Sequence, residues 1–247
     1  MIYELKITIK TLRKEGFKPL LIKIFIYFRQ LLCAFRFLAT RMPHGAPPVE
    51  VVDFSFKTPG RLIYPGQVRS EILQLAELVR QRKPRGVVEI GTANGGTLSI
   101  WCALADPKAV VVSIDLPGGI HGGGYPYWKT LVYRHFAQPE QSLHLLRVDS
   151  HQPGTRDNVK AILPPEGIDF LFIDGDHTYS GVKTDFELYS PLVRPGGLVV
   201  LHDICVHPPE MDCHVDQFWS EIRSRYKTWE YIENPHLGGF GIGVVEI

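Results

Sequence analysis

Two kinds of hydrophobic pattern alternate along most of the chain. Short runs of five or six residues, mostly apolar and rich in Val and Ile, lead into a glycine, an aspartate or a histidine. The segments between them place apolar residues three and four positions apart, which is the spacing of a helix with one buried face. Strands that alternate with helices in this way predict an α/β fold with a mostly parallel sheet.

The strand runs also predict the shape of the sheet. The runs with the character of buried strands are 87–90, 110–114, 144–148, 168–173 and 197–201. Two later runs, 229–233 and 240–246, are separated by Asn-Pro and Gly-Gly pairs and predict a closing antiparallel pair. We expect a Rossmann-like, doubly wound sheet of seven strands, mostly parallel, with an antiparallel last strand.

The first strand runs into a glycine turn. Residues 87–97 read Val-Val-Glu-Ile-Gly-Thr-Ala-Asn-Gly-Gly-Thr, and a helical pattern follows. A turn at the start of a helix leaves backbone N–H groups free to meet a ligand. The spacing is neither Gly-x-Gly-x-x-Gly nor the phosphate loop Gly-x-x-x-x-Gly-Lys. It therefore disfavours a nicotinamide dinucleotide and a nucleoside triphosphate.

Four further strand runs end at polar side chains. The residues that follow these runs are Asp115, Asp149, Ser150, Asp174, His202 and Asp203. Ligands bind at the carboxyl ends of the strands in an open α/β sheet, so these side chains are site candidates. The fourth run continues to His177, a candidate general base, because the ordinary pKa of histidine suits proton removal near neutral pH. A structural hydrogen bond is the alternative role for each of these histidines.

The turn at 89–96, Glu-x-Gly-x-x-x-Gly-Gly, resembles motif I of the class I S-adenosylmethionine (SAM) methyltransferases. The stretches 174–179, 191–197 and 202–203 resemble a bacterial branch of small-molecule O-methyltransferases that includes cephalosporin-hydroxylase-like and macrolide-sugar enzymes. The resemblance covers about residues 60–247. It implies SAM as cofactor and, as acceptor, a hydroxyl oxygen of a small molecule such as a sugar or glycolipid.

The resemblance also implies which residues serve the cofactor. The positions carried over are Glu89, Gly91, Thr92, Asn94, Gly95, Gly96, Asp115, Asp149, Ser150 and Asp174. Gly91 and Gly95 are expected against the amino-acid end of SAM. Asp115 is expected on the ribose, and the residues after the third strand near the adenine.

In metal-dependent relatives, an acid after the fourth strand and an acidic pair after the fifth hold Mg²⁺. The corresponding positions here are Asp174 or Asp176, followed by His202 and Asp203. His202 departs from that pattern, because imidazole is a poor ligand for a hard cation. One catalytic route is therefore a divalent ion, Mg²⁺ or Mn²⁺. The other is His177 acting with Asp174 and Asp203.

Ligand-type residues also recur beyond the fifth strand. They are His202, Asp203, Cys205, His207, Asp212, Cys213 and His214. These residue types bind zinc, but their spacing is not Cys-x-x-Cys with a matching pair, and two prolines mark an irregular loop. A loop that closes over the substrate is favoured over a zinc site.

The first 42 residues differ from the rest in charge. They hold nine Lys/Arg and two Asp/Glu, a net +7, whereas the whole chain has a formal charge of +1. The apolar segment 20–39 gathers its polar residues on one side of a helix. One reading is a basic amphipathic helix in a membrane interface, and the other is a helix packed on the domain or on a second subunit.

We therefore divide the chain into a helical extension at 1–42, a linker at 43–60 and a methyltransferase domain at 61–247. Four scattered cysteines favour a reducing cytoplasm, with a peripheral position on the inner face of the membrane left open. We expect no nucleic-acid partner, and a homo-oligomer is left open. The alternative to an enzyme is a non-catalytic SAM-fold protein that docks at a membrane or at another enzyme.

Overall fold

The computed structural model describes residues 17–118, 124–235 and 238–247, and the strands in these ranges form one seven-stranded sheet. In chain order the strands are β1 (Gly86–Ile90), β2 (Val110–Ile114), β3 (Ser142–Leu146), β4 (Ile168–Ile173), β5 (Val193–His202), β6 (Lys227–Tyr231) and β7 (Ile242–Glu246). Their order across the sheet is β3-β2-β1-β4-β5-β7-β6.

The strand order changes direction between β1 and β4. β1 pairs in parallel with β2 on one side and with β4 on the other. β7 runs antiparallel to both β5 and β6. Such a switch point opens a crevice at the carboxyl ends of the two central strands. The predicted Rossmann-like, doubly wound sheet with an antiparallel last strand is confirmed.

Helices cover both faces of the sheet. In the described ranges they are α1 (Phe17–Leu38), α2 (Pro48–Phe56), α3 (Arg69–Arg82), α4 (Gly96–Leu104), α5 (Lys129–Arg134), α6 (Pro153–Ile162), α7 (Tyr179–Tyr189) and α8 (Val215–Ile222). α7 ends at Tyr189, and the chain continues as a short 3₁₀ turn over Ser190–Leu192. Pro191 explains the change, because its nitrogen carries no N–H to donate to the carbonyl four residues earlier.

Residues 43–60, predicted as a linker, contain α2 and belong to the fold. Pro48 begins the helix, where its missing N–H leaves no bond unmade. Val51 and Val52 are buried, and α2 packs against α4. The linker prediction is therefore corrected. A helix of nine residues has too few turns to show a clear period in the sequence.

α1 packs on the domain through one face near its end. The fully buried Phe37 ring lies 5.9 Å, centroid to centroid, from the rings of Phe54 and Phe136. The opposite face carries an apolar stripe, 49–74% exposed, of Leu21, Phe25, Phe28, Leu32 and Phe35. Residues 1–16 of the predicted extension lie outside the described residues. Within the described ranges, no helix has the length and apolar character needed to cross a membrane.

Candidate active site

A cavity of about 580 Å³ opens at the carboxyl ends of the parallel strands. One side, the turn side, is formed by the glycine turn after β1 and the residues after β2 and β3. Its main residues are Gly91, Ala93, Asp115, Leu116, Val148, Asp149, Ser150 and His151. The other side, the histidine side, follows β4 and β5. Its main residues are Asp174, Gly175, Asp176, His177, His202, Asp203, His207 and Cys213.

The glycine turn is shaped by its protein neighbours as well as by the cavity. Gly91 has a φ of +89°, and a Cβ there would collide with the carbonyl of Asp174. Gly95 precedes α4 with a φ of +83°, and its Cβ would lie 2.6 Å from the Tyr133 ring. Gly96 faces the backbone of the segment before α3. Gly95 and Gly96 thus fit the turn against the protein, and of these three glycines Gly91 is the one that lines the cavity.

Asp115 fixes the turn from the end of β2. Its Oδ2 accepts the backbone N–H groups of Thr92 at 3.0 Å and Ala93 at 2.6 Å. Burial raises the pKa of Asp115, and the two N–H bonds, which favour the ionised form, oppose that rise. The carboxylate lines the cavity, which is the position that a ribose contact requires.

Three residues predicted to bind the cofactor lie behind the turn. Glu89 is fully buried and accepts the indole N–H of Trp101 at 3.0 Å, and burial raises the pKa of Glu89 to about 8. The Thr92 hydroxyl lies 2.5 Å from that of a serine in β2. Asn94 Oδ1 accepts Nζ of Lys129 at 2.9 Å. These contacts hold the frame of the turn, and a direct contact of these residues with the cofactor stays a prediction.

Asp149 and Ser150 line the cavity beyond β3. The Asp149 carboxylate accepts the backbone N–H of His151 at 2.9 Å and the side-chain amide of Gln152 at 3.0 Å. His151 Nε2 lies 3.5 Å from Oδ1 of Asp185, which is fully buried in α7. Hydrogen bonding to Asp185 raises the pKa of His151. This corner therefore presents a fixed polar wall.

Asp174 gathers side chains from three segments on the histidine side. Its Oδ1 lies 3.1 Å from Nδ1 of His202 and 3.5 Å from Nε2 of His177. Its Oδ2 accepts the side-chain amide of Gln67 at 2.7 Å. Burial alone would raise the pKa of Asp174, but the two neighbouring imidazoles lower it.

Asp203 contacts three imidazoles. Its Oδ2 lies 3.2 Å from Nδ1 of His177. Its Oδ1 lies 3.2 Å from Nδ1 of His202 and 3.2 Å from Nε2 of His207. The residue has a left-handed φ of +66°, which Asp tolerates better than most residues. Burial would raise the pKa of Asp203, but His202 and the other imidazoles hold it well below its usual range.

The surrounding carboxylates decide the charge of His177. Burial lowers its pKa, but hydrogen bonds to Asp174 and Cys213 and the charges of Asp174 and Asp203 raise it to about 11. The imidazole is therefore protonated at neutral pH in this cluster. The expectation of a neutral base rested on the ordinary pKa of histidine, and the two neighbouring carboxylates raise the pKa of His177 above that value.

The donors of Asp174, His202 and Asp203 fit a divalent cation. One donor atom from each lies within 4.8 Å of the others. Neighbouring ligands of an octahedral ion with bonds of ~2.1 Å are ~3.0 Å apart. Nδ1 of His202 lies at a similar distance from the two carboxylates, 3.1 Å from Asp174 and 3.2 Å from Asp203. A mixed carboxylate and imidazole set suits Mn²⁺ or Fe²⁺ better than Mg²⁺.

Asp176 lines the cavity but lies outside that donor group. Its Oδ1 accepts the backbone N–H of Thr178 at 2.9 Å, and its side chain lies against Gly181 in the first turn of α7. Of the two predicted metal ligands, Asp174 lies in the donor group, and its role as a ligand stays a prediction.

Two cavity residues, Gln67 and His151, were not singled out in the sequence. Gln67 lies 107 positions from its partner Asp174, so no local pattern links them. His151 follows the predicted Asp149-Ser150 pair and pairs with an acid of α7. Four members of the candidate zinc set line the cavity, namely His202, Asp203, His207 and Cys213, whereas Asp212 and His214 pair with each other at 3.2 Å.

Residues 88–204 match the family model Methyltransf_24, which is described as a methyltransferase domain. An uncharacterized protein of Acanthamoeba polyphaga mimivirus is 37% identical over 121 residues, which cover 47% of this chain and 50% of that protein. The chain spans half the length, or less, of the curated relatives that it matches.

Solved structures share the fold. The O-methyltransferase from Bacillus cereus in complex with SAH has a TM-score of 0.54 and 18% identity, and covers 81% of this chain and 90% of its own. The MycE methyltransferase from the mycinamycin biosynthetic pathway, in complex with Mg and SAH, has a TM-score of 0.55 and 18% identity over 81% of this chain and 54% of its own. These structures have the fold predicted from the sequence, and residues 88–204 match the model of a methyltransferase domain.

Proposed function

We propose that this protein is a SAM-dependent O-methyltransferase that acts on a hydroxyl group of a small molecule. The observation that carries the proposal is the continuity of the cavity. Gly91 and Asp115 on the turn side line the same space as His177 and Asp203 on the histidine side. A cofactor on the first side and an acceptor on the second would meet inside it. The methyltransferase-domain match over 88–204 includes the residues of both sides named here.

The turn side has a group for each part of SAM. Gly91 offers the amino-acid end a wall without a side chain, and Asp115 offers the ribose a carboxylate. Asp149 and Ser150 lie where the adenine would follow. The SAH held by the Bacillus cereus and MycE proteins supports this assignment. The residues assigned an indirect role, through the shape of the turn, are Glu89, Thr92, Asn94, Gly95 and Gly96.

Methyl transfer is an in-line displacement, in which a C–O bond forms, the C–S bond breaks and the acceptor hydroxyl loses its proton. We assign this chemistry to Asp203, His177 and Asp174. The ionised Asp203 accepts the hydrogen bond of the acceptor hydroxyl and takes its proton as the C–O bond forms, because the methylated oxygen becomes strongly acidic. The charged His177 holds Asp203 in place. Asp174 in turn holds His177 from the other ring nitrogen.

A divalent cation is the second route to the same reaction. Asp174, His202 and Asp203 would hold it, and when bound such an ion lowers the pKa of a coordinated hydroxyl. The Mg in the MycE structure supports this route. Chelation followed by addition of Mg²⁺ or Mn²⁺ separates the two. Activity that is lost and restored assigns the metal route, and activity that persists assigns the histidine route.

The proposed acceptor class is a sugar or glycolipid hydroxyl. MycE has been solved in complex with mycinamycin VI, which supports a glycosylated small molecule as the acceptor type.

We further propose that residues 20–39 bring the enzyme to the inner face of a membrane. The apolar stripe of α1 points away from the face that carries Phe37, so the described domain does not cover it. Arg29 and Arg36 are exposed beside the stripe, where they suit anionic lipid.

Vesicle flotation tests the membrane contact. Full-length protein should float with anionic liposomes at low salt and less so at high salt, because basic residues gain roughly 1 kcal/mol each at an anionic surface. Replacing Phe25 and Phe28 by Ser should abolish flotation and leave the melting temperature unchanged. A protein that never floats but is dimeric, and becomes monomeric in that variant, would assign the stripe to a second copy instead.

The same stripe favours a second candidate function, a non-catalytic SAM-fold protein that docks at a membrane or at another enzyme. The two functions differ in turnover. Calorimetry with SAM and with NAD tests the cofactor, and incubation with labelled SAM and a panel of hydroxylated acceptors tests transfer. Tight SAM binding without transfer to any acceptor favours the docking protein. Equal affinity for NAD and SAM would refute both.

A further inference from the structure

We propose that His177, Asp203 and Cys213 form a binding site for a thiophilic divalent ion of the Zn²⁺ class. This site is separate from the position framed by Asp174 and His202, and it shares only Asp203 with it. The inference goes beyond methyl transfer, because it concerns which ion the cavity holds and does not depend on the reaction.

When the ion displaces a proton from the His177 ring and the proton of the Cys213 thiol, the three side chains offer one nitrogen, one oxygen and one sulfur. Nδ1 of His177 lies 3.2 Å from Oδ2 of Asp203, and His177 also forms a hydrogen bond with Cys213. One donor atom from each residue lies within 4.8 Å of the others. Ligands of a tetrahedral zinc ion with bonds of ~2.0–2.3 Å are ~3.3–3.8 Å apart. Small side-chain movements would therefore bring the three atoms onto one ion.

The backbone holds the cysteine in this position. The N–H of His214 donates to the carbonyl of His177 at 2.8 Å, which ties the loop before α8 to the loop after β4. Asp212 has a left-handed φ of +48° and turns the chain directly before Cys213. The Cys213 side chain is 6% exposed and lines the cavity. Three protein ligands with a fourth position open to a cavity are the usual arrangement of a catalytic zinc site.

Asp203 divides its two oxygens between the two positions. Oδ1 faces His202 and His207, and Oδ2 faces His177. The position at Asp174 has only oxygen and nitrogen donors, which suit Mn²⁺ and related ions. The position at Cys213 adds a thiolate, which selects Zn²⁺ and other thiophilic ions. The two positions therefore prefer different ions, because only the one at Cys213 has a soft sulfur donor.

Cobalt(II) is the probe for this site, because a cobalt–thiolate bond gives a near-ultraviolet charge-transfer band that nitrogen and oxygen ligands do not give. Full-length reduced protein, stripped with chelator, is titrated with Co²⁺ and then with Zn²⁺. We expect the band to appear with Co²⁺ and to disappear when Zn²⁺ displaces it. Cys213→Ser should remove the band and weaken Zn²⁺ binding by roughly tenfold or more.

Cys205→Ser is the matched control. Cys205 is half-buried on the same loop, but its sulfur lies near Gly241 rather than in the donor group. The control should keep the band. A band that survives in Cys213→Ser, or that is lost in Cys205→Ser, would overturn the proposal.

X-ray absorption of the zinc-loaded wild-type protein does not depend on the folding of any variant. We expect one sulfur at ~2.3 Å together with nitrogen and oxygen at ~2.0–2.1 Å. A shell of nitrogen and oxygen alone would overturn the site. SAM binding measured on the same sample keeps this result apart from the proposed function, because absent sulfur with intact SAM binding rejects the zinc site alone.

Discussion

The turn side and the histidine side of the cavity are built by different means. On the turn side, backbone conformation sets most of the shape. Gly91 lets the chain approach Asp174 closely, and Asp115 fixes two consecutive N–H groups. On the histidine side, contacts between charged side chains dominate, with Asp203 between three imidazoles. The turn side suits recognition of one fixed cofactor. The histidine side suits chemistry that depends on charge.

The difference also lies in how far apart the parts are in the sequence. The centre of the turn side is a continuous stretch of about ten residues, to which the residues after β2 and β3 are added. The histidine side draws on the loops after β4 and β5, the start of α8 and Gln67 before α3. A change on the turn side should therefore alter cofactor affinity and local stability together. A change on the histidine side should alter turnover with little effect on cofactor affinity.

Asp203→Asn should give the largest effect. Asn keeps the left-handed backbone and the shape of the side chain but removes the charge that faces His177, His202 and His207. We expect turnover to fall by ~10³-fold, within the range of general acid–base contributions. Calorimetry should give a SAM affinity within about threefold of wild type, because a neutral isostere leaves the turn side untouched.

Asp212→Asn is the control for that substitution. It makes the same chemical change at another left-handed residue, which is 73% exposed. Its turnover should equal that of wild type. Full activity in Asp203→Asn would place the chemistry elsewhere in the cavity, and loss of SAM binding in it would erase the distinction between the two sides.

Gly95→Ala should destabilise the protein and weaken SAM binding together. The new Cβ meets the Tyr133 ring at 2.6 Å on a backbone with a φ of +83°. The expected loss is about 2–3 kcal/mol, from the left-handed conformation and overpacking combined. Denaturant unfolding measures it. Gly154→Ala, where a Cβ meets nothing within 4 Å, should be nearly neutral. Equal stability of the two variants would contradict the packing role of Gly95.

Glu89 should make the stability of the protein depend on pH. Its pKa in the folded state is about 8, above the ordinary 4.5, because burial disfavours the carboxylate. The folded protein therefore keeps a proton that the unfolded chain releases, so this contribution to stability falls as pH rises from about 4.5 to 8. Between pH 6 and 8 we expect the ionisation of Glu89 to lower the free energy of unfolding by roughly 1–2 kcal/mol.

Denaturant unfolding of Glu89→Gln at both pH values isolates that effect. The variant should lose this part of the pH dependence, since glutamine does not titrate. The exposed Glu140→Gln, with a side chain 66% exposed, should keep the wild-type dependence. A Glu89→Gln protein with an unchanged pH profile would show that Glu89 is ionised behind the turn.

Local patterns in the sequence predicted the strands, the glycine turn and the acids at strand ends, because each depends on residues close together in the chain. They did not predict the direction in which the turn residues point. Gly95 faces Tyr133, and Glu89 faces Trp101, because α4 and α5 pack behind the turn. Such contacts depend on the positions of whole helices.

The charge of His177 was beyond sequence reasoning for the same reason. Its pKa depends on two carboxylates that follow different strands, and these meet only because β4 and β5 are neighbours in parallel. Gln67 reaches Asp174 from 107 residues away. The linker prediction failed for a simpler reason, since α2 is too short to show a period.

A crystal structure of the protein with S-adenosylhomocysteine tests the central claim most directly. The amino-acid end should lie at Gly91, the ribose hydroxyls at Asp115 and the adenine beside Asp149 and Ser150. The thioether sulfur should face Asp203 across the cavity. An adenine seated among the histidines, or a ligand outside this cavity, would contradict the division of the site into a cofactor side and a chemical side.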